Sequence, residues 1–281
     1  MHEIKFSFEF FPPKTPEGIE KLRIARAKLA ALKPGYFSVT FGAGGSTQSG
    51  TRDTVLEIQR EGLNAAPHLS CVGRSREDLR VILDEYKSHG IRQLVALRGD
   101  LPSGYGAAGS SGQFSYANEL IEFIRAQTGD WFHIEAAAYP EMHPQAKSPQ
   151  DDLQNFARKI HAGANSAITQ YFYNADAYFR FVDEAKKIGI TVPVVAGIMP
   201  ITNYTQLMRF SEMCGAEIPR WVRLKLASFG DDTAAIREFG LDVVTQLCER
   251  LIQGGAPGLH FYTLNQAVPS MAILQRLGVS A

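Results

Sequence analysis

Short runs of apolar, β-branched and aromatic residues recur along the whole chain. Eight of them stand out, at residues 4–11, 36–41, 65–71, 93–97, 133–139, 167–173, 192–199 and 259–264. Runs of this length, bounded by glycine, proline and small polar residues, are typical of buried β-strands. The pattern therefore predicts eight strands.

Between these runs, apolar residues recur every three or four positions, as on one face of a helix. The spacing predicts helices over 16–32, 48–61, 76–88, 116–128, 149–162, 176–188 and 202–213. It also predicts a closing helix over 268–277 and an extra helix over 231–252, whereas the segment 218–228 before the extra helix is ambiguous.

Several helix ends carry capping residues. Ser75, with Asp78 three residues later, is typical of a helix start, and Asp176 is placed to open the sixth helix. Three glycines follow helical segments at positions where a left-handed cap is favoured: Gly90, Gly189 and Gly215.

Strands that alternate with helices indicate right-handed βαβ units and a parallel sheet. Eight such units in a chain of 281 residues favour an α/β fold of the (β/α)8 TIM barrel type. An open, doubly wound sheet is the alternative. No low-complexity linker divides the chain, so we expect a single domain over residues 1–281.

Composition excludes several classes of protein. The chain is 45% hydrophobic and 21% charged, and its 29 basic and 29 acidic residues leave no net charge to attract nucleic acid or an anionic membrane. The longest apolar stretch, around 192–201, is too short to span a bilayer, and the first residues do not resemble a targeting signal. Three cysteines without a paired spacing suit a reducing compartment, so we expect a cytoplasmic protein.

In a TIM barrel the active site lies at the carboxyl ends of the strands. Polar residues are found there, in or just after the predicted strands: Glu9, Thr40, His68, Arg98, Asp100, Tyr139, Glu141, Gln170, Tyr262 and Asn265. Their convergence from separate strands predicts a catalytic rim.

Glu9 is the least ordinary of these residues, because it stands alone in the aromatic run KFSFEFFPPK. A carboxyl group buried without a partner raises its pKa and becomes a candidate general acid near neutral pH. The alternative follows from the alternation of a strand, which places Ser7, Glu9 and Phe11 on one face and the other phenylalanines on the opposite face. Glu9 would then lie on a solvated face.

Two loops could bind anions or close over a ligand. The segment 41–47, FGAGGST, could cradle a phosphate, or Ser46 or Thr47 could simply cap the next helix. The segment 97–112 places Arg98, Gly99 and Asp100 before a glycine- and serine-rich stretch. Its charges could hold a ligand or form a surface ion pair, and the stretch could be a lid or a tolerated insertion.

Two further patterns are weak by themselves. The fifth helix carries a polar stripe, Asp152, Asn155, Arg158 and Lys159, which is usually a solvated face. The seven histidines show no metal-ligand spacing, so we expect no metal.

Together the segments resemble a known family. SFEFFPPK, SVTFGAGGST, APHLSC, ALRGDLP, AAYPEMHP, AGANSAITQYFYN, AGIMPITNYTQL and HFYTLN occur in the order found in methylenetetrahydrofolate reductases of the bacterial kind. The resemblance spans essentially the whole chain. It implies FAD as cofactor, NADH or NADPH as electron donor, and reduction of 5,10-methylenetetrahydrofolate to 5-methyltetrahydrofolate for methionine synthesis. We also expect a ping-pong cycle and a homo-oligomer.

The resemblance also implies roles for individual residues. Glu9 would be the general acid, and Asp100 would stabilise the cationic intermediate beside the flavin. Gln170, Tyr262 and Phe210 would contact folate. FAD would be bound by Thr40, His68, Arg98, Asp100, Tyr116, Ala117, Tyr139, Asp152, Asn155, Arg158 and Lys159, although the register near Tyr116 is shifted by a longer glycine-rich segment.

Two other classes remain as alternatives. A different barrel enzyme, such as a pterin-dependent methyltransferase or a flavin-dependent proline dehydrogenase, would share polar strand ends but not this ordered set of segments. A flavin- or folate-binding protein without catalysis would not require the acid at Glu9.

Overall fold

The computed structural model describes residues 4–41, 48–99 and 113–280. Its strands are β1 (Phe6–Phe10), β2 (Phe37–Val39), β3 (Ala65–Ser70), β4 (Gln93–Leu97), β5 (His133–Ala138), β6 (Ser166–Thr169), β7 (Val194–Ile198) and β8 (Leu259–Tyr262). Its helices are α1 (Pro16–Ala30), α2 (Gln48–Arg60), α3 (Arg76–Ser88), α4 (Ala117–Thr128), α5 (Pro149–His161), α6 (Ala175–Lys187), α7 (Tyr204–Cys214), α8 (Arg220–Ser228), α9 (Thr233–Gln253) and α10 (Val268–Arg276).

The strands close into a barrel in sequence order. β1 pairs in parallel with both β2 and β8, so that Phe8 lies opposite Phe37 on one side and Phe261 on the other. An open sheet would have two edge strands with one neighbour each, whereas each of these eight strands has two neighbours. The barrel prediction is confirmed, and the open-sheet alternative is excluded.

The two faces of β1 have different environments. Phe8 and Phe10 point outward into the layer between strands and helices, are almost fully buried, and have ring centroids 5.8 and 5.4 Å from that of Phe37. Ser7 and Glu9 alternate with them and point into the barrel. The face expected to meet solvent is therefore the barrel interior.

Polar side chains fill much of that interior, and most are hydrogen-bonded. Near the amino ends of the strands, Ser166 donates to Glu135 Oε2 at 2.7 Å and Gln93 donates to Glu135 Oε1 at 3.1 Å. Higher in the barrel, Ser7 Oγ and His260 Nδ1 are 2.7 Å apart. These bonds offset the cost of placing polar groups out of water.

The helices follow the predicted pattern with some changes at their ends. Ser75 and Asp78 form the expected capping box, and Gly90, Gly189 and Gly215 all have positive φ. Asp176 does not cap α6. Asn174 does, by accepting a hydrogen bond from the Asp176 backbone N–H.

The ambiguous segment forms α8, a helix that buries Val222 and Leu226 and leaves three cations in solvent. Only two of its large apolar residues face inward, so the segment lacks a clear helical repeat of apolar positions. No helix in the part of the chain that the structure covers is long and apolar enough to cross a membrane.

One buried ion pair joins the first two helices of the outer layer. Arg26 on α1 is only 2% exposed, and its guanidinium lies 2.5 Å from Glu57 Oε1 on α2. Its Nε donates to Glu61 Oε2 at 2.9 Å. The arginine is therefore paired on two sides, as a buried charge requires.

Candidate active site

A cavity of about 540 Å³ opens at the carboxyl ends of the strands. Eight residues singled out from the sequence line it: Glu9, Thr40, His68, Arg98, Tyr139, Gln170, Phe210 and Tyr262. They come from β1, β2, β3, β4, β5, β6, α7 and β8 or from the residues that follow these elements. Barrel closure thus brings together side chains more than 250 positions apart in sequence.

Glu9 lies at the floor of the cavity between two imidazoles. Its Oε2 is 3.2 Å from His68 Nε2 on β3 and 3.5 Å from His260 Nε2 on β8. The His68 contact falls outside hydrogen-bond geometry and is an electrostatic attraction. The Glu9 side chain is 15% exposed, and this exposed edge faces the cavity.

These contacts reverse the expected shift in the pKa of Glu9. Burial of the carboxylate raises its pKa, but attraction to the imidazoles of His68 and His260 outweighs burial and lowers it to about 2. Our prediction of a raised pKa is wrong for this arrangement. The sequence showed a carboxylate without a partner, whereas the fold supplies two.

His260 is a residue of the site that sequence reasoning missed. It is fully buried, its Nδ1 lies 2.7 Å from Ser7 Oγ, and its Nε2 lies 3.3 Å from Ser38 Oγ. A signal for it existed, because His260 and Tyr262 alternate along β8 and must share a face. That face of β8 points toward Glu9 and the cavity.

Tyr262 closes one side of the floor. Its hydroxyl donates to the Thr169 carbonyl at 2.7 Å, and burial raises the pKa of the phenol well above its usual value. A Cβ at Gly197 would lie 2.0 Å from the Thr169 carbonyl oxygen and 2.8 Å from the Tyr262 ring. Glycine is therefore required at position 197 for the ring to reach this place.

Arg98, Tyr139 and His143 form the wall above β4 and β5. Arg98 donates to Gln145 Oε1 at 2.7 Å, and the rings of Tyr139 and His143 meet edge to face at 4.5 Å. Asp100, expected two residues after Arg98, lies outside the described residues. So do the candidate phosphate cradle at 42–47 and the glycine-rich segment from 101 to 112.

The stripe on α5 lies beside the cavity and not in its lining. Asp152 Oδ2 accepts the backbone N–H of His143 at 2.8 Å, and Arg158 donates to Asn155 Oδ1 at 2.6 Å. Lys159 donates to the Ala137 carbonyl at 2.5 Å, directly behind a residue that does line the cavity. The stripe therefore supports the wall and extends it.

Lys159 is a buried cation. Burial lowers the pKa of its ammonium to about 8, partly offset by attraction to Asp152. Within the described part of the chain it forms no ion pair with a carboxylate. A charge in this position is better satisfied by an anionic or carbonyl-rich ligand.

Tyr116 and Ala117 lie at the start of α4, outside the cavity lining. Tyr116 is 61% exposed, and its backbone N–H is 3.3 Å from the Glu119 carboxylate. The structure does not bring this pair into the cavity.

The opposite wall is formed by α7. Phe210, Met213 and Cys214 line the cavity from this helix, and Tyr171 lines it from the segment after β6. Met213 and Cys214 were not anticipated as lining residues. Their side chains carry no charge and no motif, so only the packing of α7 across the barrel mouth reveals them.

Comparison with known proteins shows which family this sequence is similar to. The family model for Methylenetetrahydrofolate reductase matches residues 1–278. A 5,10-methylenetetrahydrofolate reductase from Salmonella typhimurium is 41% identical over 278 residues, covering 99% of this chain and 92% of that protein. Methylenetetrahydrofolate reductase (NADH) 1 from Zea mays is 38% identical, covering 98% of this chain and 48% of the plant protein.

A solved structure has a similar fold. It is a protein from Clostridium thermocellum that binds two copies of 5-methyl-5,6,7,8-tetrahydrofolic acid, with a TM-score of 0.67 and 18% identity. The match covers 97% of this chain and 93% of that one. At this identity the likeness supports the barrel fold alone.

Proposed function

The chain belongs to the methylenetetrahydrofolate reductase family, and we propose that it reduces 5,10-methylenetetrahydrofolate to 5-methyltetrahydrofolate with electrons from NADH or NADPH, carried by FAD. The observation that supports this best is Glu9, a carboxylate between two imidazoles at the floor of the strand-end cavity. A protein that only binds folate or flavin does not require an acid at this position.

The reaction requires a proton donor. The methylene carbon of the substrate accepts hydride only after the five-membered ring opens, and ring opening requires a proton on the departing amine. FAD, once reduced by the nicotinamide, would supply the hydride, and the protein would supply the proton. Glu9 is the only carboxylate among the described residues that lines the cavity.

We assign the proton to the cluster of Glu9, His68 and His260 and not to Glu9 alone. A carboxyl group with a pKa of about 2 is protonated in roughly one molecule in 10⁵ at pH 7. An imidazole within 3.5 Å can hold the proton and pass it through Glu9 as the substrate amine approaches. Ser7 and Ser38 orient the ring of His260 for this transfer.

Asp100 completes the proposed chemistry. Its position two residues after Arg98 suggests that it reaches the same end of the barrel, where its carboxylate would stabilise the cation formed by ring opening. This role rests on the family resemblance and on its place in sequence.

The remaining predicted residues divide between two sides of the cavity. We propose that Gln170, Tyr262 and Phe210 bind folate on the β6 to β8 side. Thr40, His68, Arg98 and Tyr139 would hold the flavin ring, while Asp152, Asn155, Arg158 and Lys159 would support the rest of FAD along α5. Tyr116 and Ala117 stay in this proposal only as contacts to the far end of the cofactor.

The donor set suits FAD. The cavity of about 540 Å³ is within the range of roughly 300–1,000 Å³ for small-molecule sites. Arg98 at the rim and the buried ammonium of Lys159 provide positive charge for the phosphates or ring carbonyls of the cofactor. Because one cavity serves both halves of the reaction, we propose that the nicotinamide leaves before folate enters.

A purified sample tests the proposal. We expect a yellow protein whose flavin absorbance is bleached by NADH under nitrogen and restored by methylenetetrahydrofolate, with 5-methyltetrahydrofolate as product. The name of the maize relative specifies NADH, so NADH is the donor to try first, followed by NADPH. Protein that FAD cannot reconstitute would contradict the proposal.

Two further outcomes separate the alternatives. A flavin that is bleached by proline and not by NADH would indicate a proline dehydrogenase. A protein that binds the folate without oxidising reduced flavin would indicate a binding protein. We further propose that the enzyme is a cytoplasmic homo-oligomer that supplies methyl groups for methionine synthesis, with assembly measurable by light scattering.

A further inference from the structure

Glu141 has no role in the chemistry above, yet it connects two walls of the cavity. We infer that Glu141 is a positioning residue: it clamps the carboxyl end of α7 to the loop after β5 and thereby sets where folate and nicotinamide can lie against the flavin. This inference rests on the proposed reductase function. It assigns Glu141 no contact with substrate.

The clamp is a hydrogen bond between distant parts of the chain. Glu141 Oε2 accepts the backbone N–H of Glu217 at 2.7 Å, across 76 positions of sequence. Glu141 follows Tyr139 by two residues, and Glu217 follows the last residue of α7 by three. The bond therefore joins the proposed flavin wall to the proposed folate wall.

A close backbone approach lies beside this bond. Gly215 ends α7 in the left-handed conformation, with φ of 72°, and a Cβ there would lie 2.9 Å from Pro144 Cγ. Pro144 belongs to the same loop as Glu141 and lines the cavity. Only glycine allows the two walls to approach this closely.

A second anchor holds the inner face of α7. The Tyr171 hydroxyl, on the segment after β6, lies 3.0 Å from Ser211 Oγ and 3.3 Å from Cys214 Sγ. The last turn of α7 is thus tied on one side by Tyr171 and at its end by Glu141. Phe210 projects into the cavity from this tied section.

The state of Glu141 suits a structural bond. Burial raises the pKa of its carboxyl, partly offset by the Glu217 N–H, and its Oε1 is buried with no hydrogen-bond partner among the residues that the structure describes. An unsatisfied buried oxygen destabilises the fold. Glutamine has the same shape and can still accept the Glu217 N–H through its amide oxygen.

This chemistry allows a matched set of variants. Glu141→Ala removes the clamp, whereas Glu141→Gln keeps its acceptor. Glu217→Ala is the control, because Glu217 contributes its backbone N–H and its exposed side chain takes no part in the bond. Gly215→Ala pushes the same two segments apart without touching Glu141.

Steady-state kinetics and hydrogen exchange on the FAD-loaded protein test the inference. We expect Glu141→Ala and Gly215→Ala to raise KM for methylenetetrahydrofolate about five-fold, as for one lost hydrogen bond, while kcat changes less than about two-fold and FAD stays bound. Amide exchange in peptides covering 204–217 should accelerate in the same two variants. Glu141→Gln and Glu217→Ala should match the wild type in both measurements.

Each failure has its own meaning. Unchanged KM and unchanged exchange in Glu141→Ala would overturn the clamp, as would a loss confined to kcat. Failure of Glu141→Gln to restore KM would also overturn it. If the wild type itself does not reduce folate, the proposed function fails, and the exchange data alone then decide whether Glu141 holds α7.

Discussion

Substitution of Glu9 by glutamine tests the centre of the proposed mechanism. Glutamine keeps the size of the side chain and one carbonyl acceptor, but it carries no charge and cannot transfer a proton. The two imidazoles at 3.2 and 3.5 Å would then face a neutral amide. Binding should survive this change, whereas proton delivery should not.

The shift in the pKa of Glu9 shows how strongly the site favours the ionised carboxylate. The change from 4.5 to about 2 means that the site favours the ionised carboxylate over the neutral acid by about 3 kcal/mol. The amide of glutamine is neutral and transfers no proton, so the substitution removes the donor. General acid catalysis contributes about 10² to 10⁴ in rate, and we expect a loss of that size in folate reduction.

Anaerobic stopped-flow absorbance separates the two half-reactions. In Glu9→Gln, flavin bleaching by NADH should proceed within about two-fold of the wild-type rate, because hydride transfer to flavin does not use this acid. Reoxidation by methylenetetrahydrofolate should slow by about 10² or more.

Glu135→Gln is the matched control. Glu135 is the other carboxylate identified inside the barrel, but it is bonded to Ser166 and Gln93 and does not line the cavity. Both half-reactions should persist in this variant. Normal folate reduction in Glu9→Gln would refute the reasoning, and loss of both half-reactions with FAD retained would make Glu9 structural.

Three further predictions concern cofactor binding and stability. Lys159→Met should weaken FAD binding by roughly 10- to 100-fold in a fluorescence titration because it removes a buried charged donor, whereas exposed Lys28→Met should not; equal affinity in both variants would exclude Lys159 from the FAD site. Glu57 has a pKa of about 2 because hydrogen bonds from Arg23 and Arg26 outweigh burial, so its stabilisation is present above pH 4.5 and lost as pH falls toward 2. Urea unfolding of Glu57→Gln and wild type should therefore differ most above pH 4.5, and a constant difference down to pH 3 would contradict the assignment. Phe8→Ala should lower the free energy of unfolding by about 3–5 kcal/mol because Phe8 is fully buried, whereas Ile24→Ala, at an exposed position, should change it by less than about 0.5 kcal/mol.

The sequence alone was sufficient to predict the order of the elements and which residues of β1 share a face. The two-residue alternation placed Ser7 and Glu9 opposite the phenylalanines of β1, and the ordered apolar runs predicted eight strands that the structure contains. Capping residues located helix ends to within a few positions, although Asn174 replaced Asp176 at α6. These features are local, and residues close in sequence determine them.

Only the tertiary structure decided the chemistry of Glu9. Closure of β1 against β8 brought His260 beside it, and β3 brought His68, which turned an expected rise in pKa into a fall. The clamp between Glu141 and Glu217 likewise depends on α7 crossing the barrel mouth. The physical reason is the same in both cases. Electrostatic and hydrogen-bond energies depend on distances of a few ångströms between groups far apart along the chain, and the pattern of one segment carries no information about those distances.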